Sequence, residues 1–359
     1  MVVRKTSMER TRRHINMPEI YAGLSHARSV NELLMAAYDA LEAHRQIATV
    51  GKYPGSTIAF APPTILVSSS SPSCAGTMRA QYLWTSLEEN CRDNKGPHGV
   101  FVDFDRSSKL EIPGFGDYEA LRSRWTTPMY SARASAIRRE IPTPTNLRFK
   151  KMPVLSEKAK SVYVKLHGEA RYLRYCDEPA HDTYHGGVAP SFNRPGDLMP
   201  RANALPYRHH LWYDAESVFW ALYATFLRVV PQGAVETKMS EHCVRCDWDI
   251  LASYTLPPLG SLRDSREQLV GSGDLIFTAA FLPEVQGVAE LLHTMAEQVV
   301  PCYAHMARSP PFEDHLHEAM QRLILDYLIG HEDSSIPLKP YSFRPVVVAI
   351  DPDEDVSDA

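Results

Sequence analysis

The stretch from Ala215 to Val230 constrains the fold most, because its strongly polar side chains are only Glu216, Ser217, Thr225 and Arg228. A helix that is apolar nearly all round has to be surrounded by protein. The run opens with Tyr213-Asp214-Ala215-Glu216-Ser217-Val218-Phe219-Trp220, and Pro231 stops it. A core must therefore be built on every side of this segment. A chain of 359 residues that is 44% hydrophobic can supply one.

Other elements follow from local pattern. Ser29-Val30-Asn31-Glu32 is a capping box, and Leu33, Leu34, Ala37, Leu41 and His44 recur behind it at helical spacing. From Lys52 to Pro72 the composition shifts to Pro, Ser, Thr and small apolar residues, which favours strand and loop. Gly99-Val100-Phe101-Val102-Asp103 reads as a short buried strand ending on a carboxylate. The stretch 142–206, rich in Pro, Gly and Asn, reads as a long insertion with a helical piece near Ser156 to Arg174. Two helices are expected near Pro283 to Arg308 and Phe312 to Leu328. The second places Leu316, Met320, Leu323, Ile324 and Tyr327 on one face, and Gly330 fits its C-terminal cap. The acidic block Asp351-Pro352-Asp353-Glu354-Asp355 marks a partly disordered tail over 339–359. The expected organisation is one mainly α body with minor β over 1–338, followed by that tail.

Several function classes are disfavoured. A net charge of −5 argues against nucleic acid as a partner. No apolar run reaches the roughly 18 residues of a membrane span. Six cysteines without a signal peptide read as reduced thiols in an intracellular protein, cytoplasmic or nuclear. The basic start (Arg4, Lys5, Arg10, Arg12, Arg13) reads as a solvated strand or loop in preference to a presequence. Cys243-Val244-Arg245-Cys246 is a single Cys-x-x-Cys without the second pair of a structural zinc site. His317-Glu318-Ala319-Met320-Gln321 misses the zinc-protease pattern at its last residue, and Gly114-Phe115-Gly116 lacks the context of a dinucleotide fingerprint.

An ordered set of motifs resembles the C-terminal lobe of a fungal-type protein kinase, over roughly Arg10 to Leu338. Glu32-Leu33-Leu34 with Asp39-Ala40-Leu41-Glu42-Ala43-His44-Arg45 is similar to the helix before the family's catalytic loop. Val102-Asp103-Phe104-Asp105 is similar to its Asp-Phe-Gly element. Thr127-Pro128-Met129-Tyr130-Ser131-Ala132-Arg133-Ala134 resembles the substrate-side end of the activation segment. Asp214-Ala215-Glu216-Ser217 opens the central helix, and His315-Leu316-His317-Glu318-Ala319-Met320-Gln321-Arg322 resembles a late helix. The resemblance implies ATP-dependent phosphoryl transfer to protein Ser/Thr, with Mg2+ and ATP as cofactors. It implies that Asp103 holds the metal, that Thr127 lies in the loop receiving the acceptor, and that Asp214 fixes the catalytic loop by accepting backbone hydrogen bonds. Read without the resemblance, Asp103 could end a strand in a surface turn, Thr127 could satisfy a turn, and Asp214 could be a helix-start acid favoured by the dipole.

The departures bear on activity. The family carries His-Arg-Asp, four residues and Asn before the magnesium strand, the Asp receiving the hydroxyl proton and the Asn holding a second cation. Alignment on Ile65-Leu66-Val67 puts Thr64 at the Asn position and Ala59 at the Asp position. Neither can do that work. His44-Arg45-Gln46 belongs to the preceding helix and lacks the acid. No glycine-rich phosphate loop or Val-Ala-Ile-Lys-like strand occurs, and Arg12 to Ala22 resembles the hinge at which an N-terminal lobe would end. The chain thus reads as a pseudokinase, or as a truncated gene model, because Gly51-Lys52-Tyr53 can be encoded by a splice-donor consensus. The alternative is a non-catalytic helical scaffold. Either way a protein partner or substrate is expected.

Overall fold

The computed structural model describes residues 21–50, 58–59, 64–68, 99–102, 108–109, 130, 132–133, 150–176, 211–234, 243, 246–251, 266–271, 281–299 and 312–343. These residues are mainly helical, with short strands. The acidic tail block, the basic start and the far end of the helix expected to reach Arg308 lie outside them.

The central helix, α4 (Leu211–Arg228), begins before the expected opening and hands over to strand β6 (Val229–Pro231). Every residue of α4 except Thr225 and Arg228 is buried, as an all-round apolar helix requires. Helix α1 (Val30–Val50) packs beside it, with Leu33, Leu34, Ala37 and Leu41 wholly enclosed. Its cap is half the expected box. The Ser29 hydroxyl accepts from Glu32 N–H at 3.2 Å, but the Glu32 carboxylate reaches past Ser29 to Arg28 N–H at 2.6 Å. It also meets the Arg28 guanidinium at 3.1 Å.

Helices α2 (Glu157–His167) and α3 (Glu169–Cys176) divide the expected helical piece at Gly168, whose φ of 84° lies in the left-handed region open to glycine. Leu155, Ala159, Tyr163, Leu166 and Tyr172 belong to the same hydrophobic core as α1 and α4, so 150–176 is part of the main body. A short helix, α5 (Glu267–Gly271), leads to α6 (Gln286–Val299), entered through a 3-10 turn at Pro283–Val285. The last helix, α7 (His315–Gly330), lies against α1, α4 and α6. Its cap corrects the expectation for Gly330. Gly330 is the final helical residue, and His331 closes the helix, its N–H donating to Tyr327 O and its ring stacking on Tyr327 at 4.1 Å.

Strand β1 (Tyr21–Gly23) pairs antiparallel with β3 (Thr64–Ser68), and β3 pairs antiparallel with β4 (Gly99–Val102). Strand β2 (Ile58–Ala59) pairs with β5 (Ser108–Lys109). Strand β7 (Leu338–Phe343) pairs with β6, with an irregularity between Val229 and Pro231, where proline offers no N–H to the ladder. Residues 339–343 belong to this strand. Leu338 N–H donates to Arg28 O at 2.8 Å, which brings this strand over the start of α1. Among the described residues no helix is long and apolar enough to cross a membrane.

Candidate functional site

Two short ladders organise the region to which the sequence assigns phosphate chemistry. Ala59 stands opposite Ser108, and Thr64 stands opposite Val102. The chain between Ala59 and Thr64 and the chain between Val102 and Ser108 therefore each run from one ladder to the other. Phe60-Ala61-Pro62-Pro63 joins the first pair of ends, and a segment beginning with Asp103 joins the second. Asp103 and Thr127 themselves lie outside the described residues. Among the described residues no group of three or more His, Cys, Asp or Glu side chains could hold a metal ion.

Asp214 is described, in the first turn of α4 and only 3% exposed. Its Oδ2 lies 3.4 Å from His44 Nε2 on α1. The other His44 nitrogen, Nδ1, meets His317 Nε2 of α7 at 2.8 Å, with the two rings nearly parallel. The start of the central helix is thus joined to α1 and α7 through a carboxylate–imidazole–imidazole chain. Burial, then His44 and Arg45, push the His317 imidazole well below its ordinary value, so this ring is neutral. The resemblance ties Asp214 to loop backbone; one described contact of its carboxylate is with His44 on α1.

The second polar feature of α4 anchors Ala132 and Arg133. Ala132 N–H donates to Ser217 Oγ at 3.1 Å, and Arg133 N–H donates to Glu216 Oε1 at 2.9 Å. Arg133 Nε donates to the same oxygen at 2.8 Å, while its terminal nitrogen donates to Val299 O at the end of α6. Trp220 Nε1–H completes the set at 3.1 Å. Arg133 and Glu216 are both wholly enclosed. Burying either alone would be costly, so the pair fixes Arg133 to the central helix.

A third cluster joins α1, α2, α3 and α7. Arg45 donates to Glu42 at 2.5 Å, to Glu318 at 2.7 Å and to Gln321 at 2.5 Å. Glu318 also accepts from Tyr163 at 2.5 Å and Arg322 at 2.9 Å, and Arg171 reaches Glu42 at 2.9 Å. Burial and the neighbouring Glu318 carboxylate drive the Tyr163 phenol far above its ordinary value, so it acts as a hydrogen-bond donor and not as an acid.

The sequence did not single out Arg133 with Glu216, or His44 with His317, as pairs. The readable signal was charge inside apolar runs: a Glu in the first turns of a fully buried helix must find a cation. Which cation meets it is set by tertiary packing. Comparison with protein-family models, with curated proteins and with solved structures finds no match.

Proposed function

We propose that the chain is built as the C-terminal lobe of a fungal-type protein kinase and works as a protein-binding module that does not transfer phosphate. The observation that carries this reading is the paired register Ala59↔Ser108 and Thr64↔Val102. Phosphoryl transfer needs a loop bearing an acid and an amide opposite a turn bearing the metal-binding carboxylate. The two ladders set Ala59 opposite Ser108 and Thr64 opposite Val102, the residue before Asp103 in the sequence. The sequence Phe60-Ala61-Pro62-Pro63 between Ala59 and Thr64 carries neither acid nor amide. Nothing in it can receive a hydroxyl proton or hold a second cation. Two further features support the lobe: the enclosed α4, and the docking of Ala132 and Arg133 onto Ser217 and Glu216.

Within this reading, Asp103 is the residue that would hold Mg2+, which would bridge nucleotide phosphates when bound. Thr127, six residues before Arg133 in the sequence, is the residue that would meet a protein partner. Two measurements test the proposal. An Ala59→Cys/Ser108→Cys variant should close to a disulfide under mild oxidation, since these residues stand directly opposite. Failure to close would sink the lobe assignment. Calorimetric titration with Mg-ATP should give weak or no binding, and a kinase assay should give no phosphotransfer above Asp103→Ala. Transfer clearly above that control would restore an enzyme.

A further inference from the structure

Cys243 and Cys246 stand apart from the kinase reading and rest on separate observations. Residues 243 and 246–251 are helical, and a spacing of three residues brings two side chains to one face of a helix. At that spacing the Cα atoms of a helix are roughly 5 Å apart, inside the range a disulfide spans. The two thiols differ in access. Cys243 is half-buried and packs on the main core, whereas Cys246 is exposed. One turn beyond Cys243 is Asp247, only 6% exposed, which accepts from Tyr223 OH at 2.6 Å and so ties this segment to the middle of α4.

We propose that Cys243 and Cys246 form a reversible dithiol site, whose reaction partner is a small disulfide of the glutathione type. Burial, then the charge of Asp247 and the neighbouring Cys246, push the Cys243 thiol up. Cys243 is therefore held as a thiol, and the exposed Cys246 meets the oxidant first. Its sulfur attacks one sulfur of the small disulfide. The S–S bond of the oxidant breaks, one small thiol leaves with a proton, and Cys246 carries a mixed disulfide. Cys243 then attacks the Cys246 sulfur, releasing the second small thiol with the second proton. The protein dithiol has lost two electrons and two protons, and the oxidant has become two thiols. Excess small thiol reverses both steps.

The test uses the full chain, equilibrated with mixtures of reduced and oxidised glutathione, quenched in acid, alkylated and read by peptide mass spectrometry. The peptide bearing both thiols should lose two hydrogens, whereas Cys176, exposed at the end of α3, should gain at most a glutathione adduct. In Cys243→Ser, Cys246 should retain glutathione. In Cys246→Ser, oxidation of Cys243 should slow on the order of tenfold, as a buried thiol of raised pKa reacts poorly. The proposal is overturned if both thiols stay alkylatable where Cys176 is already modified, or if each carries its own adduct. It is also overturned if zinc protects both thiols at two chains per metal, which would make this a site between chains. The wild-type measurement decides by itself should either variant fail to fold.

Discussion

Helices α4 and α7 are both buried, but by different means. In α4 the buried charged groups, Asp214 and Glu216, lie in the opening turns, and most of the rest is Val218, Phe219, Trp220, Leu222 and their neighbours, enclosed by apolar contact. In α7, His315, His317, Glu318 and Gln321 are as inaccessible as Leu316 and Met320. That second face is enclosed by hydrogen-bonded charge: Arg45 and Glu42 from α1, Tyr163 from α2 and Arg171 from α3. Apolar burial stabilises in proportion to area. In the charged face, desolvation offsets much of the Coulomb attraction, so its net contribution is small while every part is in place. Remove one part and the remainder is stranded.

That contrast predicts the largest effect at Glu318, which meets Arg45, Arg322 and Tyr163 at once. Glu318→Ala leaves two enclosed guanidiniums short of a partner and should cost about 3–5 kcal/mol in urea denaturation. A loss below about 1 kcal/mol would mean that the face of α7 is wet and the contrast false. Leu222→Ala, at the middle of α4, removes apolar contact and leaves no stranded charge. It should cost about 3 kcal/mol, through lost transfer energy and the cavity left behind.

How much of each helix the sequence reveals follows from the same physics. An apolar run declares its own burial, so α4 could be read from residues 215–230 alone, and the partners of α7 along Leu316, Met320 and Ile324 could be read from spacing. The opposite face, His317-Glu318 and Gln321-Arg322, looks like the solvated side of an amphipathic helix. Only the distant Glu42, Arg45 and Tyr163 make it internal. The candidate site divides similarly. The strand Gly99–Val102 was legible as a short apolar run, whereas its register against Thr64 was not. The Arg133–Glu216 anchor and the Asp214–His44–His317 chain were not legible, because a buried polar residue states its need for a partner and not the partner's address.

Acid distinguishes the two helices in a graded way. The His317 imidazole is held well below the ordinary 6.5, so below that pH the unfolded chain binds a proton that the folded chain refuses. Its contribution is fully present above about pH 6.5 and is lost as pH falls through that value, at about 1.4 kcal/mol per pH unit. Burial lowers His167 as well and adds a parallel loss. Glu42 belongs to a lower window. Burial alone would raise its carboxyl, but Arg45, His167 and its hydrogen bonds outweigh that and hold it below 4.5. Its stabilisation is lost only in stronger acid. Urea midpoints between pH 7 and 5 should therefore fall in the wild type and fall less steeply in His317→Gln, while Leu222→Ala keeps the wild-type slope. An unchanged slope in His317→Gln would show that this ring titrates alike in the folded and unfolded chains.

The smallest effect is expected at the last residue of α7, and its sign matters more than its size. A glycine acting as a left-handed cap would lose stability on gaining a Cβ, whereas a helical glycine gains it, since Ala restricts the unfolded chain. Gly330 has no positive φ, and a Cβ built on it meets nothing within 4 Å. His331, stacked on Tyr327, already closes the helix. Gly330→Ala should therefore raise stability by about 0.4–1 kcal/mol, read as a higher urea midpoint at constant slope. A decrease of similar size would place the cap at Gly330 and move the end of α7 back by one residue. The charged face would keep its length either way, because its last member, Arg322, lies two turns earlier.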